Sequence, residues 1–376
     1  MKIKWMIMHT FVLALISISF AEKYKDFKSG EIWKDNNGVH INAHGGGILI
    51  YGGIYYWFGE HKIEGRQGNK AMIGVHVYSS KDLYNWQDEG IALEMLDDEN
   101  SMLQRGSVVE RPKVIHNKKT GKFVMWFHHE LKNQGYNAAL TGVAVADSVT
   151  GPYEYIDSFR IHAGIWPLNF NEEQRKNVKP LREGKSPNWK QDVIDGGYLV
   201  RDFEKGQMSR DMTLFVDDDG QAYHITASEE NNTLLISKLA EDYLSLTGEY
   251  VRVFPGGRNE APAIFKKDSK YYLFTSGLTG WKPNPGRSAV SDDIMSGWKA
   301  LGNPCRGTEE EVNTTFWSQS TFVIPVQGLQ DAFIFMADRW RPDNAIDGRY
   351  VWLPVQWEDG KPIIKWLDKW DLSFFK

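Results

Sequence analysis

The sequence has a single cysteine, Cys305, so no intramolecular disulfide can form. It also has no excess of positive charge: its net charge is −5, and removing the two lysines of the first 21 residues takes it to −7. A negative chain is a poor partner for nucleic acid or an anionic membrane surface. Beyond residue 21 there is neither a second long apolar run nor sustained helical periodicity. We therefore expect no membrane-spanning helix, no membrane partner and no helical bundle.

The first 21 residues have the composition of a secretory signal peptide. Lys2 and Lys4 give a positively charged start, an apolar stretch follows, and Ser19–Ala21 places small residues at the −3 and −1 positions of a cleavage site. The apolar stretch is short for a membrane anchor. We therefore expect a signal peptide over 1–21, a mature chain over 22–376, and export to the periplasm or the extracellular space.

Aromatic residues are abundant, at 13% of the chain with 15 tryptophans. Some of them must fill the core. Others fit a sugar-binding site, where large rings with an apolar face can stack on the apolar faces of pyranoses. Composition alone does not separate these two interpretations.

One unit of sequence occurs five times. Each copy has a polar residue, an apolar strand, a turn and an aromatic strand, and a less regular pair of strands follows. The polar residues that begin the five copies are His44, Glu110, Asp211, Glu260 and Gln319. Five units of roughly four strands each predict an all-β fold, a five-bladed β-propeller.

The starts of the five units should meet. In a propeller the first strand of each blade lines the central channel, and these strands all begin at the same end. A polar residue where a strand leaves a loop is also common without any function. Because three of the five are acids, we favour a shared pocket.

A long segment interrupts the repeat between units two and three, at about 157–207. A structureless loop of that length would be unusual. We expect a partly helical insertion, with Glu172–Val178 as the strongest helical segment, lying over one end of the propeller. It either shapes the pocket or covers a blade.

The acids of the pocket suit glycoside hydrolysis, which needs a protonated carboxylic acid and a group that activates water or attacks. Glu260 is flanked by small and apolar residues, so its pKa should rise, and we assign it the role of general acid. Asp211, next to Arg210, should stay ionised and keep Glu260 protonated. Glu110 is a third acid with the same placement.

The segments Asp211–Tyr223 and Glu260–Tyr272 resemble glycoside hydrolase family 43, a five-bladed propeller family of inverting enzymes. Further segments are similar to its exo-β-1,3-galactanase branch: 42–47, 55–60, 109–114, 228–231, 278–281, 317–320 and 338–340. The resemblance implies a secreted, exo-acting, inverting hydrolase that releases galactose from β-1,3-galactan or arabinogalactan backbones. The alternatives are a β-xylosidase or α-L-arabinofuranosidase of the same family, or a non-catalytic carbohydrate-binding propeller.

The sequence departs from the wider family in blade one, where most members place a general-base Asp. Here the strand starts Ala43-His44-Gly45, with no acid, as in the galactanase branch. The group that activates water is therefore open between Gln319, Glu110 and His44. We prefer Gln319 as the residue that positions water, narrowly over Glu110, and expect a structural role for His44.

The resemblance also implies sugar contacts, although each of these residues could instead be structural. They are Glu60, Tyr136, Asn231, Thr279 and Trp281, and His44 is grouped with them as a residue of the sugar site. No cofactor and no metal-binding residue is predicted for the reaction, and a structural Ca²⁺ in the central channel is left open. The expected partner is a galactose-containing polysaccharide or oligosaccharide, bound by a monomer.

Overall fold

The structure is a computed structural model that describes residues 24–70, 72–181 and 188–376. The predicted signal peptide, 1–21, lies outside the described residues. The predicted fold is confirmed: the chain forms a five-bladed β-propeller, and four strands of each blade pair antiparallel. No helix of the described part is long and apolar enough to cross a membrane.

Each blade is a sheet whose strands are neighbours in sequence. β1 (Phe27–Lys28) precedes the blades. Blade one is β2 (His44–Tyr51), β3 (Ile54–Glu60), β4 (Gly74–Ser80) and β5 (Gln87–Glu94). Blade two is β6 (Val108–His116), β7 (Phe123–Glu130), β8 (Leu140–Ala146) and β9 (Glu154–Phe159). Blade three is β10 (Met212–Val216), β11 (Ala222–Ser228), β12 (Thr233–Leu239) and β13 (Leu246–Val253).

The last two blades follow the same order, with one addition. Blade four is β14 (Glu260–Lys267), β15 (Lys270–Ser276), β16 (Arg287–Ser291) and β17 (Lys299–Gly302). Blade five is β18 (Cys305–Arg306), β19 (Gln319–Pro325), β20 (Phe333–Arg339), β21 (Arg349–Glu358) and β22 (Lys361–Lys365), and β23 (Lys369–Trp370) follows it. The added strand, β18, pairs in parallel with β22 at the outer edge.

The helices are short. They are α1 (Glu172–Asn177), α2 (Trp189–Ile194), α3 (Gly197–Arg201) and α4 (Glu309–Thr314), with 3₁₀ turns at Ala345–Asp347 and Leu372–Phe375. Of the four helices in the described ranges, three lie between β9 and β10, and α4 leads into β19 of blade five.

The innermost hairpins are made by residues that tolerate left-handed backbone. Gly52 and Gly53 join β2 to β3 with φ of 58° and 78°, and Asp268 and Ser269 join β14 to β15 with φ of 50° and 61°. Two successive left-handed residues give the turn whose twist matches that of paired strands. These turns fix the register that brings the first residue of each innermost strand to the same end of the channel.

Several tryptophans fill the space between blades five and one. Trp57, Trp86 and Trp352 are almost fully buried, and the rings of Trp57 and Trp352 lie 4.9 Å apart between centroids. Each such side chain removes a large apolar area from water, which stabilises the contact between blades. For these residues the core interpretation of the aromatic excess is the correct one.

The first and last strands of the described chain pair with each other next to these tryptophans. β1 and β23 pair antiparallel, with Phe27 opposite Trp370, and the two rings lie 4.5 Å apart. Phe27 also packs on Trp352 of blade five. The pair therefore joins the segment before blade one to the segment after blade five.

The segment between blades two and three packs on the outside of blade three. Its predicted start, Asp157, belongs to β9, and α1 carries a capping box formed by Asn171 and Gln174. The Tyr250 hydroxyl donates to the Ile165 carbonyl oxygen (2.8 Å). Through this contact the described part of the segment lies against the outermost strand of blade three, β13.

A buried ion pair joins that segment to blade three. The side chains of Arg252 and Glu229 are 4% and 0% exposed. Nε and Nη2 of Arg252 each donate to one carboxylate oxygen of Glu229, at 2.6 and 2.8 Å. Arg252 also donates to the carbonyl oxygens of Val193 and Ile194 at the end of α2. Removing one partner would leave a buried charge unpaired.

We predict that Arg252→Ala lowers the free energy of unfolding by about 3–5 kcal/mol. Lys122→Ala, which breaks the exposed pair of Lys122 with Asp147, is the control and should cost less than about 1 kcal/mol. Urea denaturation of both variants measures the difference. A loss below about 1 kcal/mol for Arg252→Ala would show that the pair does not hold the segment in place.

Candidate active site

The structure brings four of the five predicted strand starts together. Glu110, Asp211, Glu260 and Gln319 line one cavity of about 270 Å³ at the end of the channel where the innermost strands begin. Of the predicted sugar contacts, Glu60, Tyr136, Asn231 and Trp281 line the same cavity. Its wall is completed by Lys62, Arg111, His128, Arg210, Leu278, Gly280 and Trp340.

Two predicted residues do not reach this cavity. His44 is 0% exposed and stacks on Tyr350, with ring centroids 5.4 Å apart. Thr279 uses its hydroxyl within its own loop, donating to the Lys282 carbonyl oxygen and accepting from the Asn284 amide. Direct sugar contact is therefore not supported for either, and His44 has the surroundings of a structural residue.

The same left-handed backbone conformation recurs at three positions beside the cavity. Gly45, Arg111 and Ala261 each follow the polar residue of their blade, and each has left-handed backbone, with φ of 60°, 57° and 52°. For the two non-glycine residues this conformation costs roughly 1–2 kcal/mol. It turns each N–H toward a carboxylate of the preceding blade: Asp338 (2.7 Å), Glu60 (2.9 Å) and Asp211 (3.1 Å), respectively.

Glu260 is placed as a proton donor. Burial and the negative charge of Asp211 raise the pKa of Glu260 to about 8, while Arg111 and a hydrogen bond from the Asn231 amide (2.6 Å) oppose that rise. A carboxyl group with that pKa carries its proton at neutral pH.

Asp211 is paired with Arg111 and not with Arg210, its neighbour in sequence. Its Oδ2 accepts from Arg111 Nη2 (3.2 Å) and from the Ala261 N–H (3.1 Å). Arg210, its neighbour in sequence, instead binds Glu230 (3.1 Å) and the Tyr136 carbonyl oxygen (2.9 Å). The two neighbours in sequence thus have different partners, because successive residues of an extended chain point to opposite sides.

Glu110 differs from Glu260 in its surroundings. Its carboxylate accepts from the Tyr136 hydroxyl (2.7 Å) and binds His128 Nδ1 (3.1 Å), and His128 Nε2 binds Glu130 (2.9 Å). Burial alone would lower the pKa of His128, but the two carboxylates raise it to about 9. Burial would raise the pKa of Glu110, yet the hydrogen bond and charge of His128 lower it to about 2. Glu110 is therefore ionised at neutral pH.

The amide of Gln319 has a fixed orientation. Its Oε1 accepts from Arg111 Nη2 (2.6 Å) and Trp340 Nε1 (2.8 Å), and its Nε2 donates to the Ser276 hydroxyl (2.8 Å). A flipped amide would set its NH₂ against two donors. The two lone pairs of the oxygen are thus both used, and one N–H remains for a ligand. In this geometry Gln319 can donate to a water but cannot accept its proton on oxygen.

The residues do not suit a metal in the cavity. Glu110, His128 and Asp211 offer ligand atoms within 4.8 Å of one another. However, both ring nitrogens of His128 are bound to carboxylates, and a ligating histidine must present a free, neutral nitrogen.

The residues of the central channel do not suit Ca²⁺ either. The ammonium group of Lys113 donates there to the carbonyl oxygens of Gly45 (3.0 Å) and Arg111 (3.3 Å). Both ring nitrogens of His44 lack a hydrogen-bond partner, but Asp338, 4.0 Å away, is the one carboxylate paired with that ring among the described residues. Ca²⁺ takes six to eight oxygen ligands, which this group does not supply.

Sequence reasoning missed several residues that shape the site. Arg111 lies in the Glu110-Arg111-Pro112 segment, where the residue before proline is normally extended, so its left-handed backbone was not foreseen. His128 and Glu130 alternate at the end of β7 and therefore share one face of the strand, which is a usable signal. Trp340 directly follows β20 and gave no such signal.

Comparison with known proteins shows which family the chain resembles. The family model described as "Glycosyl hydrolases family 43" matches residues 189–362. A family 43 β-1,3-galactosidase, BT3683, solved with galactodeoxynojirimycin, is 51% identical, with a TM-score of 0.87 over 92% of this chain and 100% of its own. An exo-β-1,3-galactanase from Phanerochaete chrysosporium, solved with β-1,3-galactotriose, is 33% identical, with a TM-score of 0.73 over 93% of this chain and 68% of its own.

A curated relative is similar over a shorter stretch. The β-D-galactofuranosidase xynD of Aspergillus niger is 31% identical over 174 residues, and this match spans 47% of that relative, about half of its length. The structural matches, in contrast, extend over nearly the whole described propeller. Identity of 51% along the entire length of a family 43 enzyme establishes kinship, so the chain belongs to glycoside hydrolase family 43 and is a glycoside hydrolase.

Proposed function

We propose that the protein is an exo-acting β-1,3-galactosidase that removes galactose from β-1,3-galactan or arabinogalactan backbones with inversion of configuration. The observation that carries this proposal is that Glu260 and Asp211 line one cavity, where the charge of Asp211 helps to raise the pKa of Glu260. A galactosidase and a galactanase specific for β-1,3 linkages are both similar to this chain along most of its length, which supports galactose as the unit removed.

In the proposed mechanism Glu260 protonates the glycosidic oxygen as the bond to the leaving group breaks. Asp211 keeps that proton on Glu260 until the substrate binds, because a second negative charge beside Asp211 is unfavourable. The bond from Arg111 lets Asp211 itself remain an anion in this partly buried place.

The free N–H of Gln319 orients the attacking water. Glu110 then takes the proton that the water loses, since Asp211 is paired with Arg111 and Glu260 carries its own proton. Glu110 is a weak base, as its low pKa shows. That suffices in an oxocarbenium-like transition state, where the water becomes acidic only as its bond to carbon forms. We propose that the reaction requires no metal or cofactor.

We propose further that the protein is exported and acts as a monomer. The support for export is the charged start, apolar stretch and small-residue cleavage pattern of residues 1–21. Its partner would be a galactose-containing oligosaccharide or polysaccharide outside the cytoplasm.

We predict that incubation with a β-1,3-linked galacto-oligosaccharide yields free galactose, measured by anion-exchange chromatography. Glu260→Gln should lower kcat by about 10²–10⁴-fold with the fold unchanged, because the acid is lost while the shape of the side chain is kept. Release of pentose, and not galactose, from synthetic glycosides would favour the xylosidase or arabinofuranosidase alternative. Binding without any product would favour the carbohydrate-binding propeller.

We predict that Asp211→Asn moves the pH profile. In the wild type kcat/KM should fall as pH rises through about 8, where Glu260 loses its proton. Removing the charge of Asp211 lowers the pKa of Glu260, so the decline should begin at lower pH. Asp147→Asn, an exposed control, should leave the profile unchanged. An unshifted decline in Asp211→Asn would refute the modulator role.

A substitution at Gln319 distinguishes a hydrogen bond donated to water from general-base catalysis. Gln319→Glu keeps an acceptor for Arg111 and Trp340 but removes the N–H that is left for a ligand. If the amide donates to water, kcat should fall by about 10²-fold. If Gln319 were instead a base, a carboxylate at this position would preserve or raise kcat. Single-turnover kinetics with galactobiose measures the step directly.

A further inference from the structure

A second cleft adjoins the proposed galactose cavity. It measures about 360 Å³ and lies between loops of blades four and five. Gly280, Trp281, Gln319 and Trp340 line both spaces, so the cleft opens from the cavity wall that holds the amide of Gln319. A substrate longer than one sugar could therefore extend from the cavity into the cleft.

The cleft presents large rings to solvent. Trp281 and Trp317 are 49% and 41% exposed, in contrast with the tryptophans buried between the blades. Trp281 meets Trp340 edge to face, with ring centroids 6.0 Å apart. Exposed indole rings held at a cleft wall offer flat apolar surfaces on which a sugar can stack.

The charged residues of the cleft are all cations. Lys282, Arg339 and Arg341 line it, and no Asp or Glu does. Within the described ranges none of the three forms an ion pair, whereas Lys62, Arg111 and Arg210 of the neighbouring cavity each bind a carboxylate. This local positive charge stands out on a chain whose net charge is −5.

Aromatic rings and a backbone carbonyl, and no carboxylate of the described residues, hold the Arg339 side chain in place. Its guanidinium lies between the rings of Trp317 (5.5 Å) and Trp366 (4.7 Å), and its Nε donates to the Phe316 carbonyl oxygen (3.0 Å). Burial and the neighbouring Arg341 cation both lower the pKa of Arg339. Two close cations with no counterion would be relieved by an anionic ligand.

We propose that this cleft binds a sugar unit that carries a carboxylate, attached to the galactan next to the galactose that is removed. The tryptophan rings would stack on the sugar, and Lys282, Arg339 and Arg341 would bind its carboxylate. The proposal rests on the proposed function, because it names the kind of substrate that the same site prefers.

The test compares two trisaccharides. Both are β-1,3-galactobiose with a sugar β-1,6-linked to the reducing-end galactose. In one that sugar is glucuronic acid, and in the other the carboxyl group has been reduced to give glucose. Calorimetric titration of Glu260→Gln should give a Kd about three- to tenfold lower for the acid, as expected for partly exposed ion pairs. The preference should shrink in 0.5 M NaCl through screening.

The double substitution Lys282→Gln/Arg341→Gln should reduce the preference for the acid, because only Arg339 of the three cations remains. Its matched control is Lys361→Gln/Lys365→Gln, which removes two exposed cations of β22 in blade five. Equal Kd values for the two trisaccharides before any charge is removed would overturn the proposal, even if both are cleaved to galactose. Failure of wild-type enzyme to release galactose from β-1,3-galactobiose would instead overturn the proposed function, while the titration would still decide whether the cleft prefers an acid.

Discussion

The buried guanidinium of Arg111 holds the site together. It donates to Asp211, to the amide oxygen of Gln319 and to the Ser320 carbonyl oxygen, and so joins blade two to blades three and five. Its own N–H binds Glu60 of blade one. Burial alone would lower the pKa of Arg111, but the surrounding carboxylates, Asp211 first, raise it. A cation so placed is permanently charged, and its charge opposes the rise that burial causes in the pKa of Glu260 and of Asp338.

Two glutamates at equivalent positions of the repeat acquire opposite properties. Glu260 begins β14 beside Asp211, and burial and that charge raise its pKa to about 8. Glu110, near the start of β6, has an imidazolium beside it, because Glu130 holds a proton on His128 from the other side. The pKa values of the pair are thereby driven apart, which is how one site obtains both a proton donor and an anion at the same pH.

The repeat made the fold and much of the cavity predictable. Five copies with the same strand order place equivalent residues at one end of a channel, so Glu110, Asp211, Glu260 and Gln319 could be grouped without coordinates. Ion pairs between residues far apart in the sequence could not be predicted. Asp211 and Arg111 are 100 residues apart, and nothing in either local sequence links them. The burial of His44 could not be predicted either, because the local sequence is compatible with a side chain that faces the cavity or one that stacks on Tyr350.

The missing acid of blade one has a structural explanation. Glu60 of blade one and Asp338 of blade five are buried and accept the backbone N–H groups of Arg111 and Gly45, respectively. Asp338 is fully buried and does not line the cavity, so it is not placed to take a proton from a water there. The acids here stabilise the left-handed turns that start β2 and bend β6. A catalytic water must then be oriented from another blade, and the fixed amide of Gln319, with one N–H free, is a group able to do so.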